Sequence, residues 1–362
     1  MKYKFLILLI LGINLIGFTQ NLERNIKFGV GQSVYDLQAY TKTDKGIDWH
    51  FADSITTCKL VKKAIADALD QFGKEKPKLL WILGRAEDRQ LVKTAIEVAN
   101  TAKIPYIFEG SNWSEYTAIG PAAVSSQQQQ SFIAIAMGGS ADYQVHSIHV
   151  PKLKEGYWEL EQKFGKDSTA KILECEKTKY LQSAKKLVIQ FDTTMVGDKI
   201  YIQMGNFHTP KQLWVLEGIS EVFKNMNIIG GAQADWAWQI IDNTLVESTL
   251  YGIMITGDFS VSQAMGLRNK DEALHLQSER LLKSALYDLK KQPDYAIYFG
   301  CAGWNSDQKN QYDVIKKLIP ETSFFGRFNG GEIGRYSTNS LNQAGVDLLS
   351  ILIISNKKLT KK

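Results

Sequence analysis

The sequence predicts an α/β protein of repeated strand–helix–strand units whose helices cover mixed sheets. Three observations predict it: apolar runs that do not alternate and end in Gly, amphipathic segments between those runs, and an internal repeat. Apolar runs without alternation are strands buried on both faces, which requires helices on the sheet. With 44% hydrophobic and 22% charged residues, the chain has the composition of a globular protein and can build a sizeable core.

Taken in order, the N-terminus reads apart from the rest. Lys2 and Lys4 precede an apolar run from Phe5 to Phe18, and the small Thr19 stands before Gln20 and Asn21. That order is a secretory signal peptide over residues 1–20. The rival reading is an uncleaved anchor, but the run is shorter than the ~20 apolar residues of a membrane span. The expectation is export to a periplasmic or extracellular location, cleavage near Thr19–Asn21, and no membrane span afterwards. The remaining chain of about 342 residues exceeds the ~100–200 of a usual single domain, so one large unit and two domains are both open.

The repeat comes next. An amphipathic helix over Thr57–Phe72 leads to the strand Pro77–Gly84, a helix over Asp88–Ala102 and a strand over Ile104–Gly110. A helix over Glu272–Leu289 leads to Pro293–Gly300, a helix over Gln311–Leu318 and a strand within Ile319–Gly326. Pro77, Gly84 and Gly110 match Pro293, Gly300 and Gly326, each 216 positions further on. A looser copy lies between, with an expected strand over Lys186–Phe191, a helix over Pro210–Phe223 and a strand over Met226–Gly230. Further strands are expected over Ser131–Met137, Leu250–Thr256 and Val346–Ile354. Ligands in such sheets sit beyond the carboxyl ends of strands. Gly84, Gly110, Gly230, Gly300 and Gly326 are therefore expected to end strands along one functional rim.

Charge and cysteine content exclude several classes. Forty-three Lys and Arg stand against 38 Asp and Glu, interspersed along the chain, so no nucleic-acid footprint is expected. Cys58, Cys175 and Cys301 are too few and too scattered for a disulfide scaffold, and burial in the core is the expectation for Cys58 and Cys175. His146 and His149 lie three apart in an extended stretch and point to opposite faces, so no metal site is expected there. Gly29-Val-Gly31 lacks the third Gly of a dinucleotide fingerprint, and no P-loop, zinc-protease or nucleophile-elbow motif occurs. No cofactor is expected.

Gly300-Cys-Ala-Gly-Trp304, Phe324 to Gly334 with its Gly-Gly-Glu-Ile-Gly, and Asn339 before the closing strand resemble the C-terminal domain of the FIST family. Ile229 to Asp235, Gly252 to Asp258 and Phe28 to Ser33 are similar to earlier parts of the same family. Trp304 stands where the family often has Arg, and the junction over Ser260–Asp271 is short for it. The resemblance implies a FIST-like fold, with an N-terminal FIST domain over 21–265 and a C-terminal one over 266–362. It also implies a sensory module that binds small molecules such as amino acids; an exported, stand-alone copy then works as a binding protein, passes a signal to an envelope partner or does something new, and no catalytic residue is expected.

The candidate site follows from strand exits and this resemblance together. Cys301, Gly303, Trp304, Arg327, Asn329, Gly331 and Glu332 lie at the C-terminal copy, with Gly231 and Asp235 facing from the central copy. Arg327 offers a bidentate fork for a carboxylate and Glu332 a partner for an amine, a pair suited to a zwitterion. The aromatics after strand exits, Trp113, Trp236, Trp238 and Trp304, suit a pocket wall. Two alternatives stay open: a hydrolase or transferase using Cys301, for which no local base is present, and an interaction protein with a vestigial pocket.

Overall fold

The computed structural model describes residues 23–357 apart from 37, 44–45, 51–53, 86–88, 112–117, 123–128, 151–156, 207–210, 234–237, 242, 248, 302–303, 305–306, 330–331, 338–339 and 346. The signal-peptide expectation therefore lies outside the described residues, as do Gly303, Gly331, Asp235, Trp113 and Trp236. The described residues form seven helices and nineteen strands that fall into three successive units of the same order.

The first unit runs β1 (Ile26–Asp36), the hairpin β2 (Gln38–Thr43) and β3 (Gly46–His50), α1 (Ser54–Asp70), β4 (Leu79–Arg85), α2 (Arg89–Ala102), β5 (Tyr106–Ser111), β6 (Ala118–Ile119) and β7 (Gln129–Gly139). The second runs β8 (Asp142–His149), α3 (Tyr157–Phe164), α4 (Lys166–Val188), β9 (Asp198–Asn206), α5 (Lys211–Val222), β10 (Asn227–Gln233), β11 (Trp238–Ile241), β12 (Thr244–Glu247) and β13 (Thr249–Gly257). The third runs β14 (Phe259–Leu267), α6 (Leu274–Leu289), β15 (Tyr295–Cys301), α7 (Gln308–Leu318), β16 (Ser323–Asn329), β17 (Glu332–Arg335), β18 (Asn342–Gly345) and β19 (Leu348–Asn356).

Each unit builds a four-stranded mixed sheet in one order: β1-β7-β4-β5, β8-β13-β9-β10 and β14-β19-β15-β16. The last two strands in each sheet are parallel and the others antiparallel. The segment between the third and fourth core strands of each unit then leaves its own sheet. β11 and β12 of the second unit extend the first sheet beside β5, and β17 and β18 of the third extend the second beside β10. β6 of the first extends the third beside β16. The exchange is cyclic, so every sheet is completed by another unit. The expected boundary at 265/266 falls inside β14.

Burial explains the arrangement. One face of each sheet carries helices: α1 and α2 bury Ala64, Ala68, Leu91 and Ala95 against Leu80, Ile82 and Phe132. α4 and α5 do the same against Tyr201, Ile228 and Met254, and α6 and α7 against Tyr298, Phe324 and Ile351. The opposite faces of all three sheets meet in a single central core that includes Trp81, Ile202, Ile253, Phe299, Phe325 and Leu352. Aromatic edges lock the sheets together there, with Trp81 against Phe325 at 6.2 Å and Phe28 against Phe325 at 5.3 Å. Burying each such ring contributes roughly 1.5–3 kcal/mol.

One end of this core is closed by the links between units. Ala141 and Asp258, which join successive units, donate their backbone N–H groups to the carbonyls of Asn25 and Arg24. The Asn356 side chain accepts from the Ile26 N–H at 2.9 Å and donates to the Ile26 carbonyl at 3.0 Å. The end of the third unit is thereby tied to the start of the first.

Three sequence expectations are corrected. Lys186–Val188 is the last turn of α4, and the strand of the central copy is β9. The apolar residues there are Tyr180, Ala184, Leu187 and Val188, a helical spacing that a short apolar run conceals. Gly230 and Gly326 lie inside β10 and β16 rather than at their ends, where a side chain would overlap the backbone of Gln203 and of Tyr298. Cys175 is exposed and Cys58 half-buried, and neither is a core residue.

Candidate functional site

At the other end of the central core the packing turns polar. Alternation along each strand sets which residues arrive there. Glu109 lies two residues past the inward Ile107, and Arg327 two past the inward Phe325. Register places them at one level: Glu109 opposite Leu83, Arg327 opposite Phe299, and Gly231 opposite Met204. The fourth core strands supply Ile133, Tyr251 and Ser350 at the same level. One position of each unit is thus Glu, Gly or Arg, and another is Ile, Tyr or Ser.

These polar groups bind one another across units. The Tyr251 hydroxyl accepts from Trp81 Nε1 at 3.0 Å and donates to Glu109 Oε2. Arg327 Nη1 lies 4.0 Å from Glu109 Oε1 and donates to the Glu109 carbonyl at 3.4 Å. Glu109 is fully buried and Arg327 is 1% exposed. Burial pushes the Glu109 carboxyl above the usual carboxylate range, against the pull of Arg327, Tyr251 and Trp81. Burial likewise raises the Tyr251 hydroxyl, and the Glu109 charge adds to it. The cluster fastens the three units to each other.

Glu332 occupies a different environment. β17 sets it opposite Gly231, on the same face of the second sheet. Gly231 brings no side chain to that face, where the matching positions of the other two units carry Glu109 and Arg327. Glu332 Oε2 accepts the Leu348 N–H at 3.2 Å. Its Oε1 is buried with no hydrogen-bond partner among the described residues. Burial drives this carboxyl well above its ordinary range; the Leu348 N–H opposes this and the charge of Asp347 adds to it.

Asp347 organises the adjacent loop, in a left-handed conformation with φ 56°. Its carboxylate receives the Cys301 thiol at 3.7 Å, and its carbonyl receives Trp304 Nε1 at 3.4 Å and the Arg268 N–H at 2.7 Å. Cys301, the last residue of β15, is half-buried. Trp304 is fully buried against α6 and α7, packed as a core residue rather than a pocket wall.

The sequence candidates therefore divide. Glu332, Gly231 and Cys301 gather around Asp347 and the β10–β17 pair, whereas Arg327 belongs to the Glu109 cluster. The charge acting on Glu332 is that of Asp347, while Arg327 acts on Glu109 and Tyr251. Asn329 ends β16.

Glu109, Tyr251 and Asp347 were not among the sequence candidates. The signal for Glu109 was present, a lone acid in the apolar run Ile104–Gly110. The repeat hid its partner. An offset of 216 aligns Gly110 with Gly326, but the strand pairings set Gly110 opposite Gly84 and Phe328 opposite Gly300. The third unit reaches the equivalent strand position two residues later, so Glu109 corresponds to Arg327.

Among the described residues no group of three His, Cys, Asp or Glu is placed to hold a metal ion, and no helix is long and apolar enough to cross a membrane. In comparisons with known proteins, the chain matches no family model and no curated protein.

Proposed function

We propose that this chain is an exported small-ligand-binding or sensory protein of the FIST type, non-enzymatic, whose ligand is an amino acid or related small molecule bearing an amine. The observation that carries this reading is Glu332 Oε1, a buried acceptor without a protein donor among the described residues. Leaving such an acceptor unsatisfied costs about 1–3 kcal/mol. A ligand ammonium removes that cost and meets the second carboxylate, Asp347, beside it. Cys301 donates its thiol to that same carboxylate, and this contact supports a lining role over a nucleophilic one. The Gly-Gly-Glu-Ile-Gly resemblance around Glu332 supports the same assignment.

Calorimetric titration with a panel of amino acids and small amines tests the reading. A charge-assisted hydrogen bond contributes roughly 1.5–3 kcal/mol, so Glu332→Gln is expected to weaken binding about ten-fold or more without lowering the thermal stability of the free protein. Binding of no panel member by the wild type, or equal affinity in Glu332→Gln, overturns it.

A further inference from the structure

A second site stands apart from the central core and does not rest on the amine reading. Between β14 and α6 the chain forms a surface cleft of about 310 Å³, bounded across the way by the start of α7. Among its lining residues are Arg268, Lys270, Glu272, His275 and Asp307. That volume is at the lower end of the ~300–1,000 Å³ of small-molecule sites.

The walls are held in place by groups behind them. Gln277, 1% exposed, clamps the loop: its Oε1 accepts the Asn269 N–H at 2.8 Å, and its Nε2 donates to the carbonyls of Asn269 and Glu272, each at 2.7 Å. Asp307 orients the imidazole. Its Oδ2 accepts both the His275 backbone N–H at 3.0 Å and His275 Nδ1 at 2.9 Å, while its Oδ1 accepts from Asn310 at 2.6 Å. With Nδ1 committed to the carboxylate, Nε2 is the ring's remaining polar atom, on a side chain one-third exposed.

The charges are unevenly matched. The carboxylate of Glu272 is occupied by Arg280 through hydrogen bonds of 2.6 and 2.7 Å, and that of Asp307 by His275. Arg268 and Lys270 remain as the cations of the cleft, and Arg268 Nε is buried with no hydrogen-bond partner among the described residues. A guanidinium fork, an ammonium and an imidazole around one cleft are the donor set for a tetrahedral oxyanion.

We propose that this cleft binds the phosphate group of a small phosphorylated molecule. Arg268 and Lys270 neutralise the anion, and His275, oriented by Asp307, contacts it through Nε2. Gln277 holds the loop through three hydrogen bonds, which reduces the ordering that binding must supply.

Inorganic phosphate is the probe, titrated into the whole protein and followed by calorimetry and by the His275 ring resonances, with acetate and chloride at equal ionic strength as comparisons. Phosphate is expected to shift the His275 ring signals saturably, and chloride is not. Arg268→Gln is expected to weaken phosphate at least ten-fold, and Lys270→Gln, on an exposed loop residue, several-fold with an unchanged Tm. An unmoved His275 signal, equal response to acetate or chloride, or wild-type affinity in the Arg268→Gln, Lys270→Gln double variant overturns the proposal.

Discussion

Glu332 and Glu109 are carboxyls in places that disfavour their charge, for different reasons. Glu109 faces Arg327 and a tyrosine hydroxyl, whereas Glu332 faces a single N–H and another carboxylate. Both have folded-state pKa values raised above those of the unfolded chain, so their contributions share one sign. The stabilisation is fully present below the unfolded value of about 4.3 and is lost as pH rises through the folded value. Glu332→Gln keeps the size and removes the titration. Its Tm, measured from pH 5 to 8, is expected to rise relative to wild type as pH increases, by roughly 2 °C or more at the upper end. A difference that stays constant with pH contradicts the assignment of a neutral buried acid. Under the proposed function, ligand binding is expected to carry the complementary signature: an ammonium that favours the charged form of Glu332 releases a proton from it.

Elements in this protein owe their positions to close backbone approach as much as to apolar patterning. A Cβ on Gly326 would overlap the Tyr298 carbonyl oxygen across the parallel β15–β16 pair, and one on Gly230 would overlap that of Gln203 across β9–β10. Gly326→Ala and Gly230→Ala must therefore spread a central pair of strands, and each is expected to cost about 3 kcal/mol or more in chemical denaturation. Gly73 serves as the control, since φ is 61° and nothing lies within 4 Å of a Cβ there. Gly73→Asn, which tolerates that conformation, is expected to cost under about 1 kcal/mol. A small loss in Gly326→Ala would show that the strands are not packed this closely. Element by element, the helices of the first and third units and the strands β4, β5, β7, β15, β16 and β19 were legible from apolar runs and a 3.6-residue helical period, whereas β1, β14, β17 and β18 were not read as strands. β9 was not, since Lys199, Gln203 and Gly205 interrupt its apolar residues and the more apolar end of α4 drew the strand reading. The function of Gly230 and Gly326 was misread because a glycine needed for close packing looks in sequence like one needed for a turn.

At the scale of the molecule, the chain repeats one unit three times but does not fold as three domains. The repeat was readable as strand–helix–strand copies, and its consequence was not. Trp238–Ile241 and Glu332–Arg335 pair with β5 and β10, which lie far away in sequence. Such pairings leave no local pattern. The same non-local design placed Glu109, Tyr251 and Arg327, one from each unit, within one buried cluster. Stability is accordingly shared. Removing the third unit would take β17 and β18 from the edge of the second sheet and expose the inward faces of the other two, Trp81, Ile202 and Glu109 among them. Each large apolar side chain uncovered in this way costs roughly 1.5–3 kcal/mol, so a few of them outweigh much of the 5–15 kcal/mol that holds a protein folded. The intact protein is therefore expected to unfold in a single transition, with far-UV circular dichroism and tryptophan fluorescence changing together. A fragment over 26–257 is expected to bind a hydrophobic dye and show no cooperative melt. Two separated transitions in the intact chain, or a fragment that melts cooperatively on its own, would mean that the exchanged strands are edges added to independent domains and not the links that make the three sheets one structure.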